Sequence, residues 1–329
     1  MKLLIALYHP FSLWTAPDWF APRLRKDFPD LNIVQLPGPR YVGIEREIED
    51  ADVIITWSIR PEQFAYAKQL RWLHSPAAAV HQLMFPEMIH RDVLITNARD
   101  VHGAVVAEHA LALVFALAKR LPSAMRGQRE HKWVQQAIWE EKPTTREIAG
   151  ATVVVIGMGS IGREFTRRAK ALGMKVIAVR EHPGRGSDGA DKVTGVEQLD
   201  SVLPEADYVL LAAPQTPATT GIINSARLRF MRPDSYLINV SRGPLIDDSA
   251  LIAALQENRI AGAALDVFVE EPLPADSPYW PLEDVLITPH TAAVTEKLWD
   301  RHYALIADNL RRFLAGQPLL SVVDKHKGY

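Results

Sequence analysis

"TVVVIGMGSIGREFTRRAKALG", residues 152–173, joins an apolar run, a glycine-rich turn and an amphipathic segment without a break. The β-branched run TVVVI predicts a buried strand, and the segment that starts at Arg163 predicts a helix. Between them, Gly157-Met158-Gly159-Ser160-Ile161-Gly162 forms the pattern G-x-G-x-x-G. A strand, a tight turn and a helix in this order predict a βαβ unit of a parallel sheet.

The three glycines of this pattern have separate physical roles. The first permits a tight turn, the second lets a pyrophosphate approach the backbone, and the third allows the helix to pack closely on the strand. The helix N-terminus adds free N–H groups and the positive end of its dipole. The stretch therefore predicts dinucleotide binding, and a tight βα turn without a ligand is the alternative.

The same alternation of strands and helices extends over most of the chain. We predict helices near Trp19–Phe28, Pro61–Lys68 and Ala104–Leu121, the last one ended by Pro122. This last segment is apolar on more than one face, which predicts burial between domains or subunits. Apolar runs bounded by turn residues predict strands at Leu3–Leu7, Asn32–Gln35, Val53–Thr56, Trp72–His74, Val93–Thr96, Lys175–Val179, Tyr208–Ala212, Leu237–Val240, Ala263–Val267 and Val285–Thr288. The pattern predicts two consecutive α/β units.

Composition excludes several classes of protein. The 329 residues are too many for one ordinary core, which favours two domains. A net charge of −2, from 37 basic and 39 acidic residues, gives no basic surface for nucleic acid or an anionic membrane. The lack of cysteine excludes disulfides, thiolate catalysis and cysteine-ligated zinc.

The N-terminal stretch "MKLLIALYHPF" resembles a signal peptide only briefly. Its apolar run, Leu3 to Tyr8, is too short for a signal sequence, and no small-residue cleavage site follows. The longest apolar segment, Ala104 to Ala118, is short for a membrane span and contains Glu108 and His109. We therefore expect a cytoplasmic protein without a membrane partner.

The residue that ends the next strand selects between dinucleotides. Arg180 stands where an NAD site carries an acidic residue on the ribose 2′-hydroxyl. An arginine at this place can pair with the 2′-phosphate of NADP, and Arg185 is close enough in sequence to assist. The alternative is that Arg180 is a solvated surface residue and Glu181 takes the acidic role. The sequence favours NADP(H) and leaves NAD(H) possible.

Arg242 in "NVSRGPLID", Glu271 in "LDVFVEEPLP" and His290 in "LITPHTAA" follow three predicted strands of the second unit. Loops at the carboxyl ends of parallel strands surround one crevice, so these side chains are expected to converge near the glycine-rich turn. Each residue also has a structural alternative when it is considered alone. The histidine is typical of a capped turn and the glutamate is typical of a solvated surface, whereas the arginine is typical of an interdomain salt bridge.

Together the three side chains suit the reduction of a 2-keto acid. Histidine can donate the proton that the growing alkoxide needs, and a neighbouring carboxylate orients the imidazole and favours its protonated form. A guanidinium can bind the substrate carboxylate and polarise the adjacent carbonyl. This chemistry requires no metal.

The sequence resembles the D-isomer-specific 2-hydroxyacid dehydrogenase family over nearly its whole length. The motifs that carry the resemblance are "VVVIGMGSIG", "LLAAPQTPATTGII", "MRPDSYLINVSRGPLIDDSAL", "AGAALDVFVEEPLP", "LITPH" and "NLRRFLAGQPLLSVVDKHKGY". The resemblance implies that Arg242, Glu271 and His290 are catalytic. It also implies that Asp266 holds the nicotinamide carboxamide and that Pro214 lies along the cofactor, whereas Glu270 is only a neighbour of the catalytic acid.

The resemblance also implies the domain arrangement. Two doubly wound parallel-sheet domains are expected, with a Rossmann cofactor domain (residues 100–292) inserted in a flavodoxin-like substrate domain (residues 1–99 and 293–329). Family members usually pair through the cofactor domain and its long helix, so we expect a homodimer.

The predicted substrate loop, "HSPAAAVHQ", departs from the family pattern. It carries Ala79 and His81 where relatives often have a glycine and an acid, although the backbone N–H groups of Ala78 and Ala79 remain able to bind a carboxylate. Trp57 and Arg60, in "ITWSIRPEQ", are further candidates for substrate contact. The alternative places Trp57 in the core and Arg60 on the surface.

The resulting hypothesis is an NADPH-preferring reductase of small 2-keto acids, most like glyoxylate and hydroxypyruvate reductases. One alternative is a dinucleotide-sensing corepressor that binds partner peptides, and another is formate or phosphite oxidation on the same scaffold. The complete set of Arg242, Glu271 and His290 argues against the first. Formate enzymes carry glutamine in place of the glutamate, so Glu271 argues against that chemistry.

Overall fold

The chain forms two compact units in a computed structural model that describes residues 1–38 and 42–326. The first unit comprises Met1–His102 and Val294–Tyr329, and the second comprises Gly103–Ala293. The strands are β1 (Lys2–Ala6), β2 (Asn32–Gln35), β3 (Val53–Thr56), β4 (Trp72–Ser75), β5 (Leu94–Asn97), β6 (Thr152–Ile156), β7 (Lys175–Val179), β8 (Lys192–Thr194), β9 (Tyr208–Leu211), β10 (Tyr236–Asn239), β11 (Gly262–Leu265) and β12 (Val285–Ile287).

The α-helices lie between these strands and at the end of the chain. They are α1 (Phe20–Asp27), α2 (Ile44–Glu47), α3 (Pro61–Phe64), α4 (Pro86–His90), α5 (Gly103–Ala118), α6 (Leu121–Arg129), α7 (Gln135–Glu140), α8 (Ser160–Ala171), α9 (Leu199–Val202), α10 (Ser225–Phe230), α11 (Asp248–Gln256) and α12 (Leu298–Leu314).

The first unit contains a parallel sheet with the strand order β2-β1-β3-β4-β5. Every residue of β1, β3 and β4 is buried, because helices cover both faces of the sheet. Burial on both sides explains why β1 and β3 are mostly apolar and do not alternate with polar residues. The strand order is that of flavodoxin-like folds.

The second unit contains a longer parallel sheet, with the order β12-β11-β10-β9-β6-β7-β8. Counted from β6, its first six strands follow the order 3-2-1-4-5-6 of dinucleotide-binding folds, and β12 adds a strand at one edge. The chain reverses its direction of growth between β6 and β9, next to the glycine-rich turn. The predicted fold class, two doubly wound parallel-sheet units, is confirmed.

Two details of the predicted secondary structure are wrong. The short strand β8 was not predicted, since Lys192–Thr194 is only three residues long and has one fully buried side chain. Pro122 does not end the long helix: α5 stops at Ala118, and Pro122 lies in the first turn of α6. The left-handed backbone of Arg120 separates the two helices, and proline is tolerated in a first turn because the N–H it lacks would have no partner there.

Buried imidazoles make the first unit sensitive to acid. Burial lowers the pKa of His74 to about 3, and its Nδ1 is 2.8 Å from the hydroxyl of Thr96. Burial, with the adjacent His102 and His74, also lowers the pKa of His302 well below its usual value. Neither ring nitrogen of His302 has a hydrogen-bond partner among the described residues. Both His74 and His302 are therefore neutral in the folded state.

We expect the stability of the protein to fall as the pH decreases below about 6.5, the ordinary pKa of histidine. The pKa values of His74 and His302 are lower in the folded state than in the unfolded state, so the unfolded state binds more protons. Their contribution is complete above about pH 6.5 and is lost progressively toward about pH 3. Each buried nitrogen without a hydrogen-bond partner destabilises the folded state by about 1–3 kcal/mol. His302→Phe removes two such nitrogens and should therefore raise the melting temperature.

Melting temperatures at pH 7.5 and pH 5.5 test this expectation. The drop between the two pH values should be smaller in His302→Phe than in the wild type, whereas the exposed His182→Phe should behave like the wild type. An equal drop in all three proteins would contradict the assignment to His302.

Candidate functional site

The candidate site lies at the carboxyl edge of the sheet in the second unit. Arg242, Asp266 and His290 follow β10, β11 and β12, which are neighbouring parallel strands. Parallel strands all end at the same edge, so side chains far apart in the sequence lie next to one another.

The glycine-rich turn connects β6 to α8 and fits the pyrophosphate of a dinucleotide. A Cβ at Gly162 would lie 2.1 Å from the carbonyl oxygen of Gly157, so only glycine permits this contact. In contrast, nothing lies within 4 Å of a Cβ built on Gly159, which leaves the space in front of the turn open. No side chain caps α8 at Gly159, and its first N–H groups are suited to an anion.

The other residues of the turn differ in what they offer a ligand. Met158 is buried and its sulfur lies 3.8 Å from the hydroxyl of Thr166, so only its backbone can face a cofactor. Ser160 and Ile161 are half-buried in the first turn of α8. Pro214 follows β9, and its carbonyl accepts a hydrogen bond of 2.6 Å from Thr219.

Arg180 follows β7 and is held in place by the next loop. Its guanidinium donates to Asp188 at 2.8 Å and to the carbonyl of Gly186 at 3.1 Å. Only 12% of the side chain is exposed, and its role toward a cofactor stays a prediction. The side chain of Glu181 is 69% exposed and lies 4.0 Å from His182.

Asp266 is almost completely buried, with 1% exposed, and accepts three hydrogen bonds. Its Oδ1 receives the hydroxyl of Thr288 at 2.6 Å and the N–H of Thr291 at 2.9 Å, and its Oδ2 receives the N–H of Ala292 at 3.0 Å. A carboxylate accepts about four hydrogen bonds, so Oδ2 retains capacity for one more donor. This arrangement fits the carboxamide role that the family resemblance implies.

His290 and Glu271 form a direct pair. Nδ1 of His290 lies 2.6 Å from Oε2 of Glu271, and the N–H of Phe268 donates to the other carboxylate oxygen at 2.9 Å. Burial raises the pKa of Glu271, but the hydrogen bonds from His290 and Phe268 outweigh this effect and hold the pKa below its usual value. Glu271 is therefore a carboxylate that fixes the imidazole and leaves Nε2 available.

Arg242 lies in a tight turn at the end of β10. The side-chain amide of Asn239 donates to the carbonyl of Arg242 at 2.9 Å, and its oxygen accepts the N–H of Ser241 at 3.0 Å. A Cβ at Gly243 would lie 2.0 Å from the backbone of Phe268, so glycine is required for the loop of Glu271 to pack against this turn. Burial lowers the pKa of Arg242 and the charge of Glu271 raises it, and the guanidinium stays protonated.

The four residues predicted to contact substrate lie in the first unit. The carbonyl of Ala78 accepts a 2.7 Å hydrogen bond from Asn97, and Ala79 is half-buried in the same loop. The indole N–H of Trp57 donates to the carbonyl of Trp14 at 2.9 Å. Arg60 is exposed and lies 3.4 Å from Glu62. Contact of these residues with a substrate stays a prediction.

Several residues of the site were not predicted from the sequence. Asn239 shapes the turn of Arg242, Asp188 binds Arg180, and Thr288 with His109 contacts Asp266. A polar residue at the last position of a buried strand, as at Asn239, is the signal that could have identified the first of these.

Residues 1–38 and 42–326 contain neither a metal-binding cluster nor a membrane-spanning helix. No three histidine, cysteine, aspartate or glutamate side chains in these ranges are arranged to hold a metal ion. In the same ranges, no helix combines the length and the apolar character that crossing a bilayer requires.

Comparison with known proteins identifies relatives of the whole chain. Residues 111–292 match the D-isomer specific 2-hydroxyacid dehydrogenase, NAD binding domain. The chain is 34% identical over 289 residues to the glyoxylate reductase of Korarchaeum cryptofilum. The aligned region covers 86% of this chain and 85% of that protein.

Solved structures agree with this match. The NADPH-dependent glyoxylate/hydroxypyruvate reductase of Sinorhizobium meliloti, in complex with NADP and sulfate, superimposes with a TM-score of 0.83 at 26% identity over 100% of this chain and 99% of that one. The D-isomer specific 2-hydroxyacid dehydrogenase of Xanthobacter autotrophicus, in complex with NADPH and MES, gives 0.83 at 28% identity over the same shares. The resemblance seen in the motifs is confirmed, and the chain belongs to the D-isomer specific 2-hydroxyacid dehydrogenase family of NAD(P)-dependent oxidoreductases.

Proposed function

We propose that this protein reduces a small 2-keto acid, such as glyoxylate or hydroxypyruvate, to the D-2-hydroxy acid and prefers NADPH as the reductant. The observation that carries this proposal is the 2.6 Å pair of His290 and Glu271 on the sheet edge that also presents Arg242. The pair provides a proton donor, and Arg242 provides a fixed positive charge for an acid.

His290 is the proposed proton donor. Glu271 accepts a hydrogen bond from Nδ1, which orients the ring so that Nε2 can deliver a proton to the alkoxide that forms. The nicotinamide cofactor, when bound, supplies the hydride for the carbonyl carbon. Loss of the proton from Nε2 neutralises the imidazole, and the carboxylate of Glu271 keeps the ring in the same orientation for reprotonation.

Arg242 is the proposed binding group for the substrate carboxylate. Its guanidinium is largely withdrawn from water, so its charge acts at a lower effective dielectric constant than on the surface. One N–H group is already used by the carbonyl of Ser241 at 2.6 Å. The remaining N–H groups can bind a carboxylate and polarise the adjacent keto oxygen.

The preference for NADPH rests on Arg180, because a buried and oriented guanidinium can pair with the 2′-phosphate of the cofactor. The S. meliloti relative is itself described as NADPH-dependent. We assign the cofactor to residues 100–292 and the substrate loop to the remainder, and expect the enzyme to act in the cytoplasm.

We also propose a homodimer that pairs through the segment between α5 and β6. Trp133 is 90% exposed, and Trp139 borders a groove of about 500 Å³. Arg120 binds the carbonyl of Pro143 and the carboxylate of Glu141, so it connects the beginning of this segment to residues 141–143. Exposed tryptophans on a segment that is held in this way are suited to contact a second copy of the chain.

The proposed dimer predicts that light scattering at micromolar protein concentration gives the mass of two chains. Replacing Trp133 and Trp139 by serine should shift the protein to a single chain, because aromatic side chains dominate such interfaces. A wild type with the mass of one chain would refute the proposed dimer.

His290→Ala should reduce kcat for keto-acid reduction by about 10² or more, the scale of general acid catalysis, while NADPH binding persists. Steady-state kinetics and cofactor fluorescence measure the two effects separately. The exposed His90→Ala is the matched control and should retain full activity. A variant of His290 with nearly normal turnover would show that another group donates the proton.

Arg180→Asp should lower the ratio of kcat/KM for NADPH to that for NADH by about 10- to 100-fold, which is the worth of a hydrogen bond to a charged group. Arg167→Asp makes the same change of charge on the exposed side of α8 and should leave the ratio unchanged. If the ratio is also unchanged in Arg180→Asp, the cofactor preference does not depend on this residue.

A further inference from the structure

The backbone of His290 is in an unusual conformation. Its φ is +52°, in the left-handed region that residues with a side chain rarely occupy. Such a conformation persists only where surrounding contacts determine it, and it is common at functional sites. The contacts that hold this residue therefore decide where its imidazole lies.

Asp266 supplies most of these contacts. Its carboxylate accepts hydrogen bonds from Thr288, two residues before His290, and from Thr291 and Ala292 directly after it. Its backbone carbonyl accepts the N–H of His290 at 2.9 Å. One residue thus binds the chain on both sides of the left-handed position.

The orientation of the Asp266 carboxylate depends in turn on two other side chains. The hydroxyl of Thr288 donates its single proton to Oδ1 of Asp266 at 2.6 Å, so it can only accept from Nε2 of His109, which is 3.1 Å away. This fixes the tautomer of His109 with the proton on Nε2. The same nitrogen lies 3.5 Å from Oδ1 of Asp266 and adds a second favourable contact.

We propose that Thr288 and His109 are positioning residues, which act through the Asp266 carboxylate to hold the left-handed backbone that presents His290. His109 lies on α5, Thr288 follows β12, and neither is expected to contact the substrate. The inference rests on the proposed role of His290 as the proton donor. The inference adds a chain of hydrogen bonds that supports His290. This relay runs from His109, on helix α5 of the same unit, through Thr288 to Asp266.

The test compares Thr288→Val, which removes the hydroxyl with little change of shape, with Thr288→Ser, which keeps it. We expect kcat to fall about tenfold in Thr288→Val, since a displacement of 1 Å can cost up to about 10²-fold, and to recover in Thr288→Ser. The KM for the keto acid should stay near that of the wild type, and the affinity for NADPH, to which Asp266 also contributes, should fall less than kcat. A fall in both variants, or a loss of NADPH affinity with unchanged kcat, would overturn the proposal.

A second pair of variants addresses His109. Phenylalanine removes the donor, whereas glutamine carries an N–H₂ group near the position of Nε2. In the wild-type background, His109→Phe should lower kcat, whereas His109→Gln should keep kcat close to that of the wild type. In the Thr288→Val background His109→Phe should add little, because the relay is already broken. Additive losses would show that the two residues act independently.

Amide hydrogen exchange measures the positioning without using activity. The N–H groups of Thr291 and Ala292 should exchange faster in Thr288→Val than in the wild type or in Thr288→Ser. If exchange responds in this way but the wild type reduces no keto acid, the positioning inference stands and the proposed reaction fails. If activity is present and exchange in Thr288→Val equals that of the wild type, the positioning inference fails alone.

Discussion

The parallel direction of the strands in the second unit determines where its chemistry can occur. Each strand from β6 to β12 starts at one edge of the sheet and ends at the other, so every strand-to-helix loop opens on the same side. The glycine-rich turn, Arg242, Asp266 and His290 all belong to such loops. Parallel pairing therefore places a candidate anion-binding turn and three ionisable side chains on one edge, although together they span the sequence from Gly157 to His290.

The Asp266 side chain at this edge is stabilised by hydrogen bonds rather than by exposure to water, whereas Glu271 combines hydrogen bonds with partial exposure. Asp266 is almost fully buried and accepts three donors, and Glu271 accepts the N–H of Phe268 in addition to His290. A buried carboxylate without such donors would take up a proton and lose its function. Because most of the donors are backbone groups, the fold fixes their positions and holds the two carboxyl groups in defined orientations.

The sequence predicted this edge of the sheet better than the contacts within it. Residues that end strands, such as Arg242 and His290, could be placed because a strand pattern ends where a loop begins. The partner of Arg180 could not be predicted, because Asp188 lies in an irregular loop and no periodicity in the sequence specifies the path of that loop. The contact of His109 with Thr288 joins residues 179 positions apart, and only the tertiary packing of α5 creates it.

The pairing of Arg180 with Asp188 also affects how strongly a 2′-phosphate can be preferred. Asp188 orients the guanidinium, which reduces the entropy lost when a ligand binds. The same carboxylate, however, carries a negative charge 2.8 Å from the group that a phosphate has to approach, and like charges at short range repel. A 2′-phosphate on Arg180 must therefore share the guanidinium with Asp188 or displace it. The preference for NADPH that we propose therefore depends on the difference between two charge-assisted interactions, and we expect it to be smaller than an unpaired arginine at this position would give.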